Sequence, residues 1–296
     1  AAVVHDPVDL VTWDTVDPRF ALTYQVDSAG RTVLRFGASR YYQNLDSFKF
    51  FVASPAFPMT WVTLWFDRND DFAYQVGEEG PLLFSFGGSL NSVDPDLRRP
   101  YTDEFVFGAS HEVTSDIQIS ANAIFRQDRD LGATEDIGDT RYTPVDVLDP
   151  GPDGIPGTGD DATITVYEQD ADTIGNNRLQ ITNPEGAKRD YKGLEITASK
   201  RFRNNWQGVA SLVWSEMAVT QSTLALGVLG TFDSPNGAIN ALGRDEANQT
   251  VQFKLQGTYM FDFGLGVSGL YRFRTGTPYT RELSVSGLNQ GTFNVR

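Results

Sequence analysis

The sequence predicts an all-β protein, a partial antiparallel transmembrane β-barrel with about eight strands and long extracellular loops. Three observations predict it. Apolar and polar residues alternate over long segments, these segments pair into four hairpins, and the connections are short at one end and long at the other. Membrane barrels sort their connections in this way. A soluble β-rich protein with long decorated loops is the alternative, although a soluble sandwich has no reason to separate long from short connections.

The clearest hairpin covers residues 191–217 and turns at Phe202-Arg203-Asn204-Asn205. Alternation with a period of two places apolar side chains on one face of a strand and polar ones on the other. Each arm has about 11 or 12 residues, which is close to the 9 to 11 that a tilted strand needs to cross a bilayer. The predicted apolar positions are Leu194, Ile196, Ala198, Ala210, Leu212 and Trp214.

The same alternation occurs in three further hairpins, at residues 19–41, 104–126 and 252–274. Their turns are predicted near Asp27 to Gly30, Val113 to Ser115 and Asp262 to Gly264, where turn-forming residues interrupt the pattern. The predicted apolar face comprises Phe20, Leu22, Tyr24, Leu34, Phe36, Ala38, Phe105, Phe107, Ala109, Ile117, Ile119, Ala121, Ala123, Phe125, Phe253, Leu255, Gly257, Tyr259, Phe261, Leu265, Val267, Gly269, Tyr271 and Phe273.

The opposite face of these strands is too charged to lie in lipid, because ionisable side chains in a membrane face water or other protein groups. We therefore predict that it lines a wet or plugged lumen. The predicted lumen-facing residues are Gln118, Asn122, Arg126, Glu195, Lys254, Gln256, Arg272 and Arg274.

Composition excludes several classes of protein. The chain has no cysteine, so it has no disulfides and no thiolate metal site. No run of 18 apolar residues occurs, which excludes a membrane-spanning helix. The net charge of −15 argues against a nucleic-acid partner, since phosphates attract basic surfaces.

The acidic residues are concentrated in three segments, 42–101, 127–190 and 218–248. Together these segments hold 26 of the 39 acidic residues but only 10 of the 24 basic ones. They have roughly 60, 64 and 31 residues and connect successive hairpins. The sequence thus predicts near-neutral strands joined by long acidic loops.

Three segments resemble the later barrel strands of a known family. They are DPDLRRPYTDEFVFGASHEV at 94–113, GAKRDYKGLEITASKRFRNNWQ at 186–207 and QFKLQGTYMFDFGLGVSGLYRFRTGTPYT at 252–280. In this order they resemble TonB-dependent outer-membrane receptors, specifically the Oar-like group. The resemblance implies a bacterial outer-membrane protein in contact with lipid, in which a barrel of about 22 strands encloses a plug.

The resemblance also implies a TonB box, through which the inner-membrane TonB system supplies energy, and often an N-terminal carboxypeptidase-regulatory-like domain. None of these N-terminal parts occurs in the sequence, which begins with AAVVHDP and ends with FNVR without a closing strand. We therefore expect residues 1–296 to be a fragment of one outer-membrane barrel domain, without its plug.

Two loop segments have the spacing of calcium ligands. The first runs from residue 67 to 78 and offers oxygens at positions 1, 3, 5, 7 and 12 of an EF-hand-like loop, but has Phe72 where that loop has glycine. The second, at 149–161, is weaker because Gly151 at position 3 offers no side chain. A solvated acidic loop and a rigid turn are the respective alternatives. The predicted ligands are Asp67, Asn69, Asp71, Ala73 and Glu78 in the first segment and Asp149, Asp153, Asp160 and Asp161 in the second.

An aromatic cluster leads into the first of these segments. It contains Tyr41, Tyr42, Phe48, Phe50, Phe51, Phe57, Trp61, Trp65 and Phe66. Trp61, Trp65 and Phe66 are candidates for binding an external ligand such as a glycan, and a small core within the loop is the other interpretation.

Catalytic motifs are absent from the sequence. No G-x-S-x-G, Walker or H-E-x-x-H pattern occurs, and the two histidines, His5 and His111, lie in unrelated contexts. We therefore expect no enzyme. The sequence predicts a receptor that takes up an unknown external nutrient, or alternatively a barrel anchor whose calcium-stiffened loops serve adhesion or association with other envelope proteins.

Overall fold

The computed structural model describes residues 11–43, 60–86, 91–220, 232–245 and 248–296. This part of the chain is almost entirely β-structure, with two short 3₁₀ helices at Ala171–Thr173 and Pro235–Ala238. No helix within it is long and apolar enough to cross a bilayer. The strands are β1 Arg19–Gln25, β2 Thr32–Tyr42, β3 Thr60–Trp65, β4 Glu79–Phe86, β5 Asn91–Val93, β6 Tyr101–Thr114, β7 Ile117–Arg129, β8 Ala133–Asp136, β9 Tyr142–Asp149, β10 Ala162–Gln169, β11 Leu179–Thr182, β12 Arg189–Arg203, β13 Trp206–Thr220, β14 Leu242–Arg244, β15 Val251–Met260, β16 Gly266–Arg274, β17 Leu283–Val285 and β18 Phe293–Val295.

One large antiparallel sheet dominates the described residues. Its strand order is β1-β2-β6-β7-β12-β13-β15-β16, and β14 adds a short pairing to β13. These eight strands are the eight that the alternation predicts, paired in chain order. The three long connections begin and end within three residues of the predicted bounds, because the strands continue a little beyond their alternating segments.

The register brings the apolar positions of successive strands opposite one another. Phe107 lies opposite Ala123, Ala123 opposite Leu194, and Leu194 opposite Trp214. Because side chains alternate between faces with a period of two, residues two positions apart along a strand share a face, and one aligned row therefore shows which residues of neighbouring strands share it. The predicted apolar positions therefore form a single continuous face.

This apolar face is not packed in a core. Leu212 is 41% exposed, Trp214 40% and Tyr271 57%. The cores found among the described residues lie outside the main sheet. Leu97 packs with Ile181, and Val166 packs with the valines of β17 and β18, which follow β16. A compact soluble globule would have buried the apolar face of its largest sheet, so the prediction of an exposed apolar wall is confirmed.

The short turns lie at one end of the sheet. Asn204 and Asn205 have φ angles of 52° and 65°, which give a two-residue turn whose twist matches that of paired strands. In the β1–β2 turn, the carboxylate of Asp27 accepts hydrogen bonds from the amides of Arg31 at 3.0 Å and Thr32 at 2.7 Å. Two predicted turns are shorter than expected. Phe202 and Arg203 continue β12, and Val113 and Thr114 continue β6, because these strands extend beyond their alternating segments.

The long connections contain strands of their own. β3 pairs with β4 and β9 with β10, while β5, β11 and β8 form a three-stranded sheet. The chain ends after β18, which pairs with β17 and not with the main sheet. The described parts of the connections at the long-loop end therefore contain folded structure.

Candidate functional site: the two faces of the sheet and its surface loops

The apolar face has defined borders. On β13 it extends from Trp206 to Trp214, or about 27 Å along the strand at about 3.4 Å per residue. Toward the long loops it ends at an ion pair, in which Arg40 Nε lies 2.7 Å from Asp103 Oδ1. A band of about 25 Å flanked by aromatic and polar residues is typical of barrel strands in a bilayer.

All eight predicted lumen-facing residues lie together on the opposite face. Asn122 lies opposite Glu195, and Lys254 opposite Arg272. At the long-loop end of this face, Arg126 pairs with Glu104 and lies 5.6 Å from the ring centre of Tyr191. The polar face thus combines ion pairs, amides and hydroxyl groups over the whole width of the sheet.

The first predicted calcium segment is a tight turn between β3 and β4. The carboxylate of Asp67 accepts hydrogen bonds from the amides of Asp71 at 3.2 Å and Phe72 at 2.8 Å. Phe72 adopts a φ of 58°. At the position where an EF-hand has glycine, Phe72 therefore adopts the left-handed backbone conformation that favours glycine.

Glu78, the predicted ligand at position 12 of the EF-hand-like loop, is buried and holds this turn together. Its carboxylate accepts hydrogen bonds from the indole of Trp65 at 3.1 Å and the amide of Gln75 at 3.0 Å. Over the described residues, no group of three or more His, Cys, Asp or Glu side chains is arranged to hold a metal ion. Calcium at Asp67, Asn69, Asp71, Ala73 and Glu78 stays a prediction.

The second predicted calcium segment joins β9 to β10. Asp149 forms a two-pronged ion pair with Arg281, and its carboxylate also accepts a hydrogen bond from the Gly151 amide at 3.1 Å. The Arg281 side chain, together with that amide, holds the pKa of Asp149 below its ordinary value. Arg281 therefore pairs with the Asp149 carboxylate, which the sequence predicts to be a metal ligand.

The other acidic residues of this segment bond to their own loop. Asp160 accepts a hydrogen bond from the Thr158 hydroxyl at 2.6 Å, which lowers the pKa of Asp160. Asp161 accepts one from the Gly157 amide at 2.6 Å, and Asp153 one from the Ile155 amide at 2.8 Å. These bonds stabilise the turn without an ion, and calcium binding here also stays a prediction.

The aromatic cluster is only partly described. Phe48, Phe50, Phe51 and Phe57 lie outside the described residues, as does the side chain of Trp61. Trp65 and Phe66 are both half-exposed. Tyr42 instead packs against Tyr101, with ring centres 5.8 Å apart, and belongs to the main sheet. Among the described members, Tyr42 thus lies in the main sheet, whereas Trp65 and Phe66 lie at the β3–β4 hairpin.

The comparisons with known proteins decide the family. The model of the family described as outer membrane beta barrel domain matches residues 6–296, nearly the whole chain. The chain belongs to this family. It is a β-barrel protein of the bacterial outer membrane, and its apolar face is the surface that meets lipid.

One solved structure of an outer-membrane protein is similar to this barrel chain. It is the outer membrane transporter YddB from Escherichia coli, with 13% sequence identity and a TM-score of 0.45. The similarity covers 92% of this chain and 29% of the transporter's, so this chain spans less than a third of that protein's length. No match was found among curated protein sequences.

In this outer-membrane barrel, Lys200 marks the border of the lipid-facing band at the short-turn end. Its Nζ lies 4.2 Å from the ring centre of Trp206 and 3.3 Å from Asp116 Oδ2. It also donates hydrogen bonds to the carbonyl oxygens of Arg203 at 2.6 Å and Trp206 at 3.1 Å. A lysine whose stem lies along apolar surface while its head reaches polar groups is common at a membrane interface.

Sequence reasoning missed the folded surface loops of this barrel. Val166 is fully buried against β17 and β18, and the side-chain amide of Asn236 bonds to the backbone of Tyr167 at 2.7 and 2.6 Å. The signal was the alternation of Val145 and Val147, repeated in Ile164 and Val166. These strands have eight residues each, fewer than every strand of the main eight-strand path except β1, and lie within acidic sequence.

Proposed function

We propose that this chain forms part of the barrel wall and surface loops of a TonB-dependent outer-membrane receptor of the Oar-like group, which imports a nutrient. The observation that carries the proposal is the continuous two-faced sheet, with one apolar and one polar face in register over eight strands. A wall of this kind separates lipid from a polar passage. In the proposal, the polar face lines that passage.

The surface loops give the proposed receptor a place to capture its ligand. Loop strands that pack around their own cores hold a binding surface in one shape, and preorganisation lowers the entropic cost of binding. Half-exposed Trp65 and Phe66 are the proposed aromatic contacts for that ligand. Iron-siderophore, glycan, peptide and vitamin ligands are all compatible with these loops.

The energy for import is proposed to come from the inner-membrane TonB system, through an N-terminal region outside this sequence. The test is a titration of the full-length purified protein with the isolated C-terminal domain of TonB from the same bacterium. Saturable binding that is lost when the N-terminal TonB box is deleted supports the proposal. An intact full-length protein without measurable binding would refute TonB dependence.

A second function is favoured by the folded loops themselves. The same barrel could anchor acidic loops, stiffened by their own cores and by calcium, for adhesion or for association with other envelope proteins. This alternative requires neither a plug nor a TonB box in the full-length protein. Reading the complete gene separates the two, because a plug domain supports import and its absence favours the anchor.

A further inference from the structure

Three cations of the polar face have no partner within the described residues. Lys254, Arg272 and Arg274 lie on β15 and β16, are exposed, and make no side-chain hydrogen bond or ion pair there. Lys254 lies directly opposite Arg272. Like charges in directly opposed positions destabilise a strand pair, so the sheet is less stable than it would be with neutral residues at these positions.

Several cations elsewhere in the sheet form ion pairs with carboxylates. Six other lysine and arginine side chains each have a carboxylate within 4.0 Å, and they are Arg40, Arg126, Arg129, Arg189, Lys200 and Arg203. Pairing is common over β2 to β13 but not universal. Arg35 bonds to the Ser110 hydroxyl at 3.1 Å, and Lys192 and Arg201 have no carboxylate within 4.0 Å among the described residues. Lys254, Arg272 and Arg274 differ from these cations in lying close together on two adjacent strands of the polar face.

Two hydroxyl side chains lie beside Lys254 and Arg272 in the same row of the sheet. Across the neighbouring strands Lys254 lies opposite Ser211, and Ser211 lies opposite Thr197. Glu195 is on the same face, in the row that also contains Arg274, but it lies two strands from β15, or about 10 Å, and three strands from Arg274. Hydroxyl groups beside a lysine and an arginine form a surface that is complementary to carboxylate or phosphate oxygens.

We propose that Lys254, Arg272 and Arg274 form a binding site for an anionic oxygen group, carboxylate or phosphate, of a small solute on the polar face. The inference rests on the proposed import role and adds a property of the ligand, an acidic group. The acidic surface loops repel a highly charged anion. The ligand of this site is therefore a solute with one or two acidic groups on an otherwise neutral body.

The test is equilibrium dialysis of the full-length protein, purified from outer membranes, against labelled inorganic phosphate and, separately, succinate at constant ionic strength. We expect saturable binding of at least one probe. The double variant Lys254→Gln/Arg272→Gln should weaken it by at least about tenfold, because each lost charged hydrogen bond changes affinity by that order. Arg126→Gln is the matched control on the same face, since its guanidinium already pairs with Glu104.

Folding of each variant is checked by its heat-modifiable electrophoretic mobility. The site is refuted if the folded wild type binds neither probe saturably, or if the double variant binds as tightly as Arg126→Gln. If a carboxylate of the same polypeptide already pairs with these cations, the folded wild type would bind neither probe. The dialysis does not involve TonB, so its failure is distinguishable from failure of the TonB titration.

Discussion

Leu212 of β13 lies directly opposite Phe253 of β15, although 40 residues separate them in the chain. The pair joins two hairpins across the third long loop and continues the apolar face into the last hairpin. Val213, the next residue along β13, lies opposite Gln252 on the polar face. These two neighbouring positions therefore lie on the apolar and the polar face respectively.

Arginine at these two positions is expected to have very different effects. Leu212→Arg should lower the free energy of unfolding by about 2–4 kcal/mol, because a charge near the middle of the lipid-facing band loses hydration. Val213→Arg, with the same side chain one residue away, should cost less than about 1 kcal/mol. Urea unfolding in phospholipid vesicles measures both, and equal losses would contradict the assignment of the faces.

The two ends of the sheet are expected to lie on opposite sides of the membrane. The chain has no cysteine. A single cysteine introduced at an exposed position therefore shows on which side of the membrane that position lies, without labelling of other cysteines of this chain. Val76→Cys, in the β3–β4 loop, should react with a membrane-impermeant maleimide on intact cells. Phe263→Cys, in the β15–β16 turn, should react only after the outer membrane is permeabilised. Reaction of both cysteines on intact cells would refute this topology.

Acid is expected to loosen the β9–β10 loop through Asp149. The pKa of this carboxyl lies below its ordinary value of 3.8 in the folded protein because of Arg281. When folding lowers the pKa of a carboxyl group, the ionised group stabilises the folded state at pH values above the pKa of the unfolded state. This stabilisation is lost as the pH falls through the pKa of the folded state. Loop protection should therefore be constant from pH 7 to about pH 5 and decline below about pH 4.

Hydrogen exchange over residues 149–161, corrected for the intrinsic effect of pH, measures this change. Arg281→Gln should already show reduced protection at pH 7, since it removes the ion pair at every pH. Arg296→Gln is the matched control, because Arg296 pairs with Glu282 and not with Asp149. Full protection in Arg281→Gln at neutral pH would show that the ion pair does not hold the loop.

Calcium, if it binds the β3–β4 turn, is expected to slow proteolysis of residues 67–78, and a chelator should reverse the effect. Asp67→Ala should remove the calcium effect, whereas Asp70→Ala should keep it because Asp70 is not a predicted ligand. Glu78→Ala is a poor test by itself, since Glu78 holds Trp65 and Gln75 without an ion. Identical proteolysis of wild type with and without calcium would remove this site.

Much of the membrane wall could be predicted because alternation is a local property. Residues such as Leu194 and Ile196 show their common face from spacing alone, and lipid requires that face to be apolar over the whole strand. The loops follow no such constraint. The partners of Glu78 and Asp149 could not be predicted, because each depends on how a turn folds or on contact with a segment as distant as Arg281.

By itself the sequence determined the eight membrane strands, their turns, and the division of charge between strands and loops, since each depends on residues close together in the chain. Only the tertiary structure decided which carboxylates are engaged by arginine and backbone amides, and that Lys254 and Arg272 face each other without a carboxylate. The physical reason is that pairing of charges depends on distances across strands and loops, and spacing along one strand does not fix those distances.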